Sequence, residues 1–132
     1  MRQDIKSKYR TKKNIRVFEF IKEMEMAYAA ADIVISRSGA MSVSELCVAG
    51  KPSVFVPYPL AAEDHQTANA TSLVLKNAAL LVKNNELKEK LLETLVNLTK
   101  NELLQKQLAT NIKSLAILEA DKVIAKEILK IS

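Results

Sequence analysis

Two polar segments of the sequence carry residue types that could bind a sugar nucleotide. The first, Ser36-Arg37-Ser38-Gly39-Ala40, follows a short apolar run and leads into a helical stretch that begins near Ser42. A helix N-terminus directs unpaired N–H groups and a partial positive charge outward, and both stabilise a bound anion. Gly39 lets a phosphate approach the backbone closely, and Arg37 could add a full positive charge. The segment therefore predicts a diphosphate site.

The second polar segment runs from Pro57 to Asn69 and follows another apolar run. Its two prolines hold the backbone extended and rigid, which suits side chains that must hold a ligand. The side chains that could bind sugar hydroxyls are Asp64, His65, Gln66 and Asn69. Other interpretations stay open here, because Asp64 could cap the next helix and His65 could be an ordinary surface residue.

Glu45 has two interpretations that the residues alone leave open. Ser42-Val43-Ser44-Glu45 matches a capping box, in which the carboxylate turns back to the N-cap backbone N–H of its own helix. A carboxylate at the mouth of a nucleotide crevice also accepts two hydrogen bonds from ribose hydroxyls at once.

Several familiar site patterns are missing from the sequence. Gly50-Lys51 is followed by Pro52, and position 45 holds a glutamate, so there is no Walker A loop, and no G-x-G-x-x-G fingerprint occurs. No G-x-S-x-G nucleophile elbow is present. A metal site at His65 is disfavoured, because the chain has one histidine and its one cysteine is distant in sequence.

Length and composition indicate one globular domain. The chain has 132 residues and 48% hydrophobic content, which is enough for one core and too little for two ordinary domains. Cys47, the only cysteine, lies among apolar residues, which predicts a buried thiol and a reducing cytosol. No apolar run reaches the roughly 18 to 20 residues of a membrane-spanning helix.

The formal charge of +5 is concentrated near the N-terminus. The first sixteen residues carry one acid, Asp4, and seven basic residues: Arg2, Lys6, Lys8, Arg10, Lys12, Lys13 and Arg16. Such a run could be a solvated helix face or could bind an anionic membrane surface, where each basic residue contributes about 1 kcal/mol. Nucleic acid is disfavoured as a partner, because only Tyr9 supplies an aromatic ring among the basic residues.

The elements that must position these segments alternate between short apolar runs and helical stretches. We predict strands at 15–20, 33–35, 53–56 and 79–82, and helices at 24–31, 42–49 and 67–76. Gly50 and Pro52 should end the second helix. The runs at 33–35 and 53–56 are uninterrupted, as in strands covered on both faces. Since parallel neighbours need crossover connections, the alternation predicts an α/β fold with a parallel sheet.

After Val82 the apolar residues follow helical spacing. They form three stripes: Leu87, Leu91 and Leu95; Leu104, Leu108, Ile112 and Leu115; and Val123, Ile124, Ile128 and Leu129. Such stripes are typical of a core face, so the residues from about 86 to 132 should be helices packed on the sheet.

Seven segments, in order, resemble the C-terminal domain of the MurG family, the UDP-N-acetylglucosamine transferases that complete the lipid-linked peptidoglycan precursor. They lie between about Ile15 and Val82 and occupy residues 20–24, 28–32, 36–40, 43–46, 50–52, 56–59 and 64–70. The resemblance implies that residues 1–132 are a single, partial, Rossmann-like donor domain of a GT-B glycosyltransferase. It also implies donor binding without a metal ion or other cofactor, and the sequence contains no D-x-D motif.

The resemblance assigns roles to individual residues. Glu45 would bind the ribose hydroxyls, the main chain at Ile21 would pair with uracil, and His65 and Gln66 would contact N-acetylglucosamine. Some relatives carry glutamine at the position of His65. Backbone N–H groups at Gly39, Ala40 and Met41, with Ser42 nearby, would hold the diphosphate. Arg37 and Ser38 complete the set of residues expected to bind UDP-N-acetylglucosamine.

The family's acceptor-binding domain, with its general base, has no counterpart in the sequence, and neither has the first strand of the donor domain. We therefore expect no catalytic residue in this chain and no activity from the chain alone. Exposed strand edges invite pairing, so we expect edge pairing or segment swapping with a second copy. The family also implies a lipid-linked muramyl-pentapeptide as acceptor and a cytoplasmic location at the inner face of the bacterial membrane.

Three alternatives to this function remain. The chain could be the soluble subunit of a split N-acetylglucosaminyltransferase, which has a similar domain. A sugar-nucleotide epimerase is disfavoured, because it needs acid and base groups in two domains. From another class, a non-catalytic module could bind membranes or nucleic acid through residues 2–16.

Overall fold

A computed structural model describes the chain at residues 15–18, 21–60 and 64–131, with side chains as far as residue 116. Its centre is a parallel sheet in the order β1-β2-β3, formed by Val34–Ser36, Ser53–Phe55 and Leu80–Leu81. In this register Val34 lies opposite Ser53, and Val54 lies opposite Leu80. The predicted α/β class is confirmed, since every strand is joined to the next through a helix.

The helices follow the predicted order. Helix α1 spans Met24–Ala30, α2 Ala40–Ala49 and α3 His65–Leu75, and these precede or connect the strands. After β3 come a 3-10 turn, Asn84–Glu86, and a π turn, Leu87–Leu91, followed by α4, Leu92–Thr99, and α5, Glu102–Ile131.

Helices cover β2 on both faces, because successive residues of a strand point to opposite sides of a sheet. Val54 packs with Leu98 of α4 and Leu108 of α5, whereas Phe55 packs on the other side with Leu46 of α2. All five of these side chains are at most 2% exposed. Truncating Phe55 to alanine would cost about 3–5 kcal/mol at such a site. The predicted burial of this strand is confirmed.

The first two apolar stripes after Val82 are buried as predicted. The leucines at 87, 91, 95 and 104 pack against the cluster that contains Val54 and Leu108. Ile112, one turn beyond Leu108, is fully buried in the other cluster. The third stripe, from Val123 to Leu129, lies beyond the described side chains.

Two strand predictions need correction at the other side of the sheet. Ile35 of β1 is 47% exposed, so this strand is not covered on both faces within the described part of the chain. Residues 15–18 form no strand, although their apolar and polar residues alternate; residues 19 and 20 lie outside the described ranges. The alternation says which side chains can share a face, but a strand forms only where a neighbouring edge accepts its hydrogen bonds.

The end of α2 is fixed by Gly50, as predicted. This glycine adopts the left-handed conformation at φ 65°, and its N–H donates to the carbonyl of Leu46 at 2.9 Å. A Cβ at this position would lie 3.0 Å from Lys113 Cδ of α5. Glycine is therefore needed here both for its backbone conformation and for the close approach of α5. Cys47, three residues earlier, is buried as predicted.

No helix among the described residues is long and apolar enough to span a membrane. The basic residues at positions 2–13, on which the predicted membrane surface depends, lie outside the described ranges.

Candidate functional site

The two polar segments lie against each other at the carboxyl end of the sheet. The Ser38 hydroxyl donates to the main-chain carbonyl of Gln66 at 2.7 Å, and the Asn69 amide donates to the carbonyl of Ser38 at 3.0 Å. Ser38 is fully buried, so both bonds are shielded from water. In open α/β sheets, ligands occupy the crevice beyond the carboxyl ends of neighbouring strands. The first segment after β1 and the second after β2 therefore meet at the place where a fold of this kind has its ligand crevice.

The N-terminus of α2 opens into this crevice. Gly39 is the N-cap residue, and the first α-helical hydrogen bond of α2 runs from the Val43 N–H to the Gly39 carbonyl at 3.0 Å. The N–H groups of Ala40, Met41 and Ser42 precede that bond, so they have no acceptor within the helix. The first turn carries no acidic residue that would offset the helix dipole. An anion placed here would meet donors and a partial positive charge.

Gly39 is not required by the fold. Its φ of −65° and ψ of 155° are open to any residue. A Cβ at this position would meet Gln66 Nε2 at 3.7 Å, which is ordinary van der Waals contact. Gly39 differs from Gly50 in this respect. Gly50 is needed for its left-handed backbone conformation, whereas Gly39 only leaves space free above the N-terminus of α2.

Glu45 does not cap α2, so the capping-box interpretation is wrong. Helix α2 begins two residues earlier than predicted, which places Ser42 inside its first turn, and no side chain caps it. The half-buried carboxylate of Glu45 instead accepts a hydrogen bond from the Tyr28 hydroxyl at 2.9 Å. Burial, this bond and the negative charge of Glu45 together raise the pKa of Tyr28 to about 12. The phenol therefore stays protonated and donates at neutral pH.

Arg37 connects the segments that follow all three strands. Its Nη1 donates to the carbonyls of Val56 and Pro57, both at 3.3 Å, and to Asn84 Oδ1 at 2.8 Å. The guanidinium carbon also lies 5.5 Å from the centre of the Tyr58 ring, a distance at which cation–π attraction operates. Arg37 therefore joins the walls of the crevice. This structural role is in addition to the role predicted from the sequence, in which its positive charge would bind a diphosphate.

The start of α3 forms the other side of the crevice. Asp64 is its N-cap residue, as one interpretation expected, but its carboxylate accepts from the Thr67 hydroxyl at 2.7 Å rather than from a first-turn N–H. The Asp64 backbone is left-handed at φ 55°, which is uncommon for a residue with a Cβ. His65, the first residue of α3, is exposed.

The side-chain amide of Gln66 is oriented by the main chain of the same segment. Its Oε1 accepts from the Tyr58 N–H at 2.8 Å, which directs Nε2 towards Gly39. Gln66 therefore presents N–H donors to the space above the α2 N-terminus. Ile21, the last predicted site residue, is half-buried in the segment just before α1.

Sequence reasoning missed three residues of this region: Tyr28, Tyr58 and Asn84. Tyr28 and Asn84 act through partners distant in sequence, and no local pattern signals such pairs. Among the described residues there is no group of three or more histidine, cysteine or acidic side chains that could hold a metal ion.

Comparisons with known proteins identify the domain. A family model, the glycosyltransferase family 28 C-terminal domain, matches residues 1–128. A protein of Flavobacterium psychrophilum is 48% identical over 120 residues, which cover 91% of this chain and 33% of that protein. A Bacteroides thetaiotaomicron protein is 47% identical over 119 residues, with 90% and 32% covered. Both are named UDP-N-acetylglucosamine--N-acetylmuramyl-(pentapeptide) pyrophosphoryl-undecaprenol N-acetylglucosamine transferase.

A solved structure agrees with these relatives. The crystal structure of MurG from Acinetobacter baumannii matches with a TM-score of 0.69 and 38% identity, over 76% of this chain and 30% of that one. This match confirms the predicted fold class, a Rossmann-like parallel sheet with flanking helices that forms part of the C-terminal domain of a GT-B glycosyltransferase. The chain spans about a third of the length of the sequence relatives it matches.

Proposed function

The chain belongs to the glycosyltransferase family 28 C-terminal domain family, and on this premise we propose that it binds UDP-N-acetylglucosamine as the donor part of a transferase. The whole enzyme would transfer N-acetylglucosamine to a lipid-linked muramyl-pentapeptide in peptidoglycan synthesis. One observation carries the proposal. The open N-terminus of α2 lies beside Gly39, a glycine that the fold does not need, and Glu45 follows on the same helix.

The donor would lie along the start of α2. Backbone N–H groups of the first turn would bind the diphosphate and Glu45 the ribose hydroxyls, while the main chain at Ile21 would pair with uracil and His65 and Gln66 would contact the sugar. The proposed set is Ile21, Arg37, Ser38, Gly39, Ala40, Met41, Ser42, Glu45, His65 and Gln66.

The spacing of Glu45 from the helix start supports this arrangement. Residues three and four apart are neighbours on a helix surface, so Glu45 lies above Ser42 and Met41. Helix side chains also point back towards the N-terminus, which brings the carboxylate closer to the first turn. A group that binds ribose would thus stand next to the N–H groups that bind the diphosphate, as the order of parts in a nucleoside diphosphate requires.

Gln66 supports the sugar end of the proposal. Because Oε1 is held by the Tyr58 N–H, only Nε2 is left to face the crevice, and Nε2 donates hydrogen bonds. Donors suit the oxygens of a sugar or of the phosphate next to it. His65, one residue earlier and exposed, would reach the same sugar from the rim of the crevice.

The remaining proposed interactions involve surfaces other than the donor site. We propose that the lipid-linked acceptor binds the part of the enzyme that this chain does not match, and that basic residues at 2–16 attract an anionic surface at the inner face of the membrane. An edge-paired or segment-swapped dimer is also proposed, because β1 is an edge strand of the described sheet, whose order is β1-β2-β3. Sedimentation with anionic vesicles and light scattering test these two interactions separately.

Calorimetric titration of the chain with UDP-N-acetylglucosamine tests the donor site. We expect binding that does not change when a chelator is added, and at least tenfold weaker binding for Glu45→Ala, since each lost hydrogen bond to a charge contributes about 1.5–3 kcal/mol. Glu93→Ala is a matched control, because Glu93 is an exposed carboxylate on α4.

A chimera extends this test to transfer. The chain is joined to the part of the Flavobacterium relative that it does not match, and transfer of labelled N-acetylglucosamine to the lipid-linked acceptor is measured. If neither the chain nor the chimera binds the donor, the proposed function is wrong. If the chain binds the donor but the chimera transfers no sugar, only the proposed acceptor is contradicted, and the proposed donor site stands.

A further inference from the structure

Tyr28 combines a buried ring with a hydroxyl that reaches the candidate site. The residue is only 9% exposed, and its ring belongs to the core cluster that includes Leu46, Cys47 and Phe55. Its hydroxyl nevertheless donates to Glu45 Oε2 at 2.9 Å. The contact joins α1 to the second turn of α2, from residues that are seventeen positions apart in the chain. Among the ten residues of the proposed donor set, Tyr28 does not appear.

This hydrogen bond leaves most of the carboxylate available to a ligand. An ionised carboxylate has two oxygens with about four lone-pair sites, and the Tyr28 hydroxyl uses one of them. Two adjacent ribose hydroxyls need two acceptors in a fixed relative position. A glutamate side chain without a second contact would have to lose its rotamer freedom on binding, at a cost of about 0.5–1.5 kcal/mol.

Packing alone does not explain a tyrosine at this position. A phenylalanine would fill the same space among Leu46, Cys47 and Phe55 without burying a hydroxyl that needs a partner. Within the described residues, the hydroxyl's partner is the one carboxylate that follows the open helix N-terminus. The Tyr28 hydroxyl is therefore explained by its contact with Glu45 of the candidate site and not by packing in the core.

We propose that Tyr28 is a positioning residue that fixes the Glu45 carboxylate in the orientation that accepts the two ribose hydroxyls. Helix α1, which contacts no ligand itself, thereby contributes to donor selection. This inference rests on the proposed function, because it takes Glu45 as the ribose ligand. It deepens that function by assigning to Tyr28 the preference for a ribonucleotide over its deoxy counterpart.

The test compares UDP with 2′,3′-dideoxy-UDP on the wild-type chain and on Tyr28→Phe. Wild type should bind UDP more tightly than the dideoxy compound, because only UDP supplies hydroxyls to Glu45. Tyr28→Phe should weaken UDP binding roughly two- to tenfold and leave the affinity for dideoxy-UDP unchanged. In a Glu45→Gln background the same tyrosine substitution should no longer change the ratio of the two affinities.

The possible outcomes separate the two proposals. If wild type binds both compounds equally well, the ribose role of Glu45 fails and this inference fails with it, whereas donor binding itself survives. If neither the wild-type chain nor the chimera binds either compound, the proposed function fails, and the inference fails with it. If wild type discriminates and Tyr28→Phe discriminates equally well, Tyr28 does not position Glu45. A loss of binding that is equal for both compounds would mean that Tyr28 supports only the folded structure, and this result would also overturn the inference.

Discussion

The Tyr28 hydroxyl lies 2.9 Å from Glu45 Oε2, so a carboxylate that reads as a helix cap in sequence is held by another helix. Since Gly39 is the N-cap residue of α2, the first turn of that helix has no side chain closing it. Both facts leave the same end of α2 accessible to a ligand. Four predictions follow from the contacts that build this end of the molecule.

The absence of a capping box can be tested with Ser42→Ala. A true N-cap serine replaced by alanine costs about 1 kcal/mol, whereas an alanine inside a helical turn costs nothing. We expect the free energy of unfolding to change by less than about 0.5 kcal/mol, as for other substitutions away from a cap. Urea denaturation followed by circular dichroism measures it. A decrease of about 1 kcal/mol in the free energy of unfolding would support the capping-box interpretation instead.

The two glycines should respond in opposite ways to alanine. Gly50→Ala should lower the free energy of unfolding by about 1–2 kcal/mol, because its φ is 65° and a Cβ would crowd Lys113. Gly39→Ala should leave stability nearly unchanged, yet it should weaken binding of UDP at least tenfold, as expected if about 1.4 kcal/mol of phosphate contact is lost. Thermal unfolding and calorimetry on the same samples separate the effects. Unchanged UDP binding by Gly39→Ala would remove the main support for the diphosphate site.

Arg37 is expected to act on stability as well as on ligand binding. Arg37→Lys keeps the charge but shortens the side chain, so its ammonium stops one bond short of the position from which Nη1 donates to the Val56 and Pro57 carbonyls and to Asn84. We expect a loss of about 1 kcal/mol in the free energy of unfolding, the size of one net hydrogen bond. Asn84→Ala serves as the partner for a double-mutant cycle. If Arg37→Lys leaves stability intact and lowers only UDP affinity, the residue acts on the diphosphate and not as a connection between segments.

Stability should fall at alkaline pH because of Tyr28. Its pKa is raised from 10.0 to about 12 in the folded chain, by burial first and then by its bond to Glu45 and the charge of that carboxylate. Below pH 10 the phenol is protonated in both states, and the contribution to stability is fully present. Between pH 10 and 12 the unfolded chain releases the proton first, so the contribution is lost as pH rises.

The difference between wild type and Tyr28→Phe isolates this effect from the titration of lysines. Urea midpoints of both chains are measured from about pH 9 to pH 11.5, and the midpoint of wild type should fall relative to that of Tyr28→Phe as the pH increases. Parallel curves across this range would show that the Tyr28 pKa is close to its ordinary value.

Local patterns predicted those parts of the fold that depend on local physics. The uninterrupted apolar run around Val54 correctly predicted a buried central strand. Gly50 correctly predicted the end of α2, because the left-handed conformation that follows a helix is a local requirement. The start of α2 was predicted two residues late, since both Gly39 and Ser42 are acceptable N-cap residues. The buried bonds of Ser38 to α3 favour the earlier start, and they depend on the second segment.

The contacts that define the site were beyond sequence reasoning for the same reason. Tyr28 and Glu45 are seventeen residues apart, and Arg37 and Asn84 are forty-seven apart, so no periodicity links either pair. The strand predicted at 15–20 was wrong over residues 15–18 because alternation fixes a face but not a pairing partner. The residue types indicated a diphosphate and sugar hydroxyls as ligands, whereas the assignment of uracil to Ile21 and of N-acetylglucosamine to His65 and Gln66 came from the family resemblance alone.

The hydrogen bonds from Ser38 and Asn69 join the two polar segments through groups of the protein itself. A preformed site needs no slow conformational rearrangement when its ligand binds. Association should therefore be a single step whose rate rises linearly with donor concentration, and differences in affinity among variants should be found mainly in dissociation rates. On the proposed function, these two polar segments would set the lifetime of the bound nucleotide rather than the rate of its association.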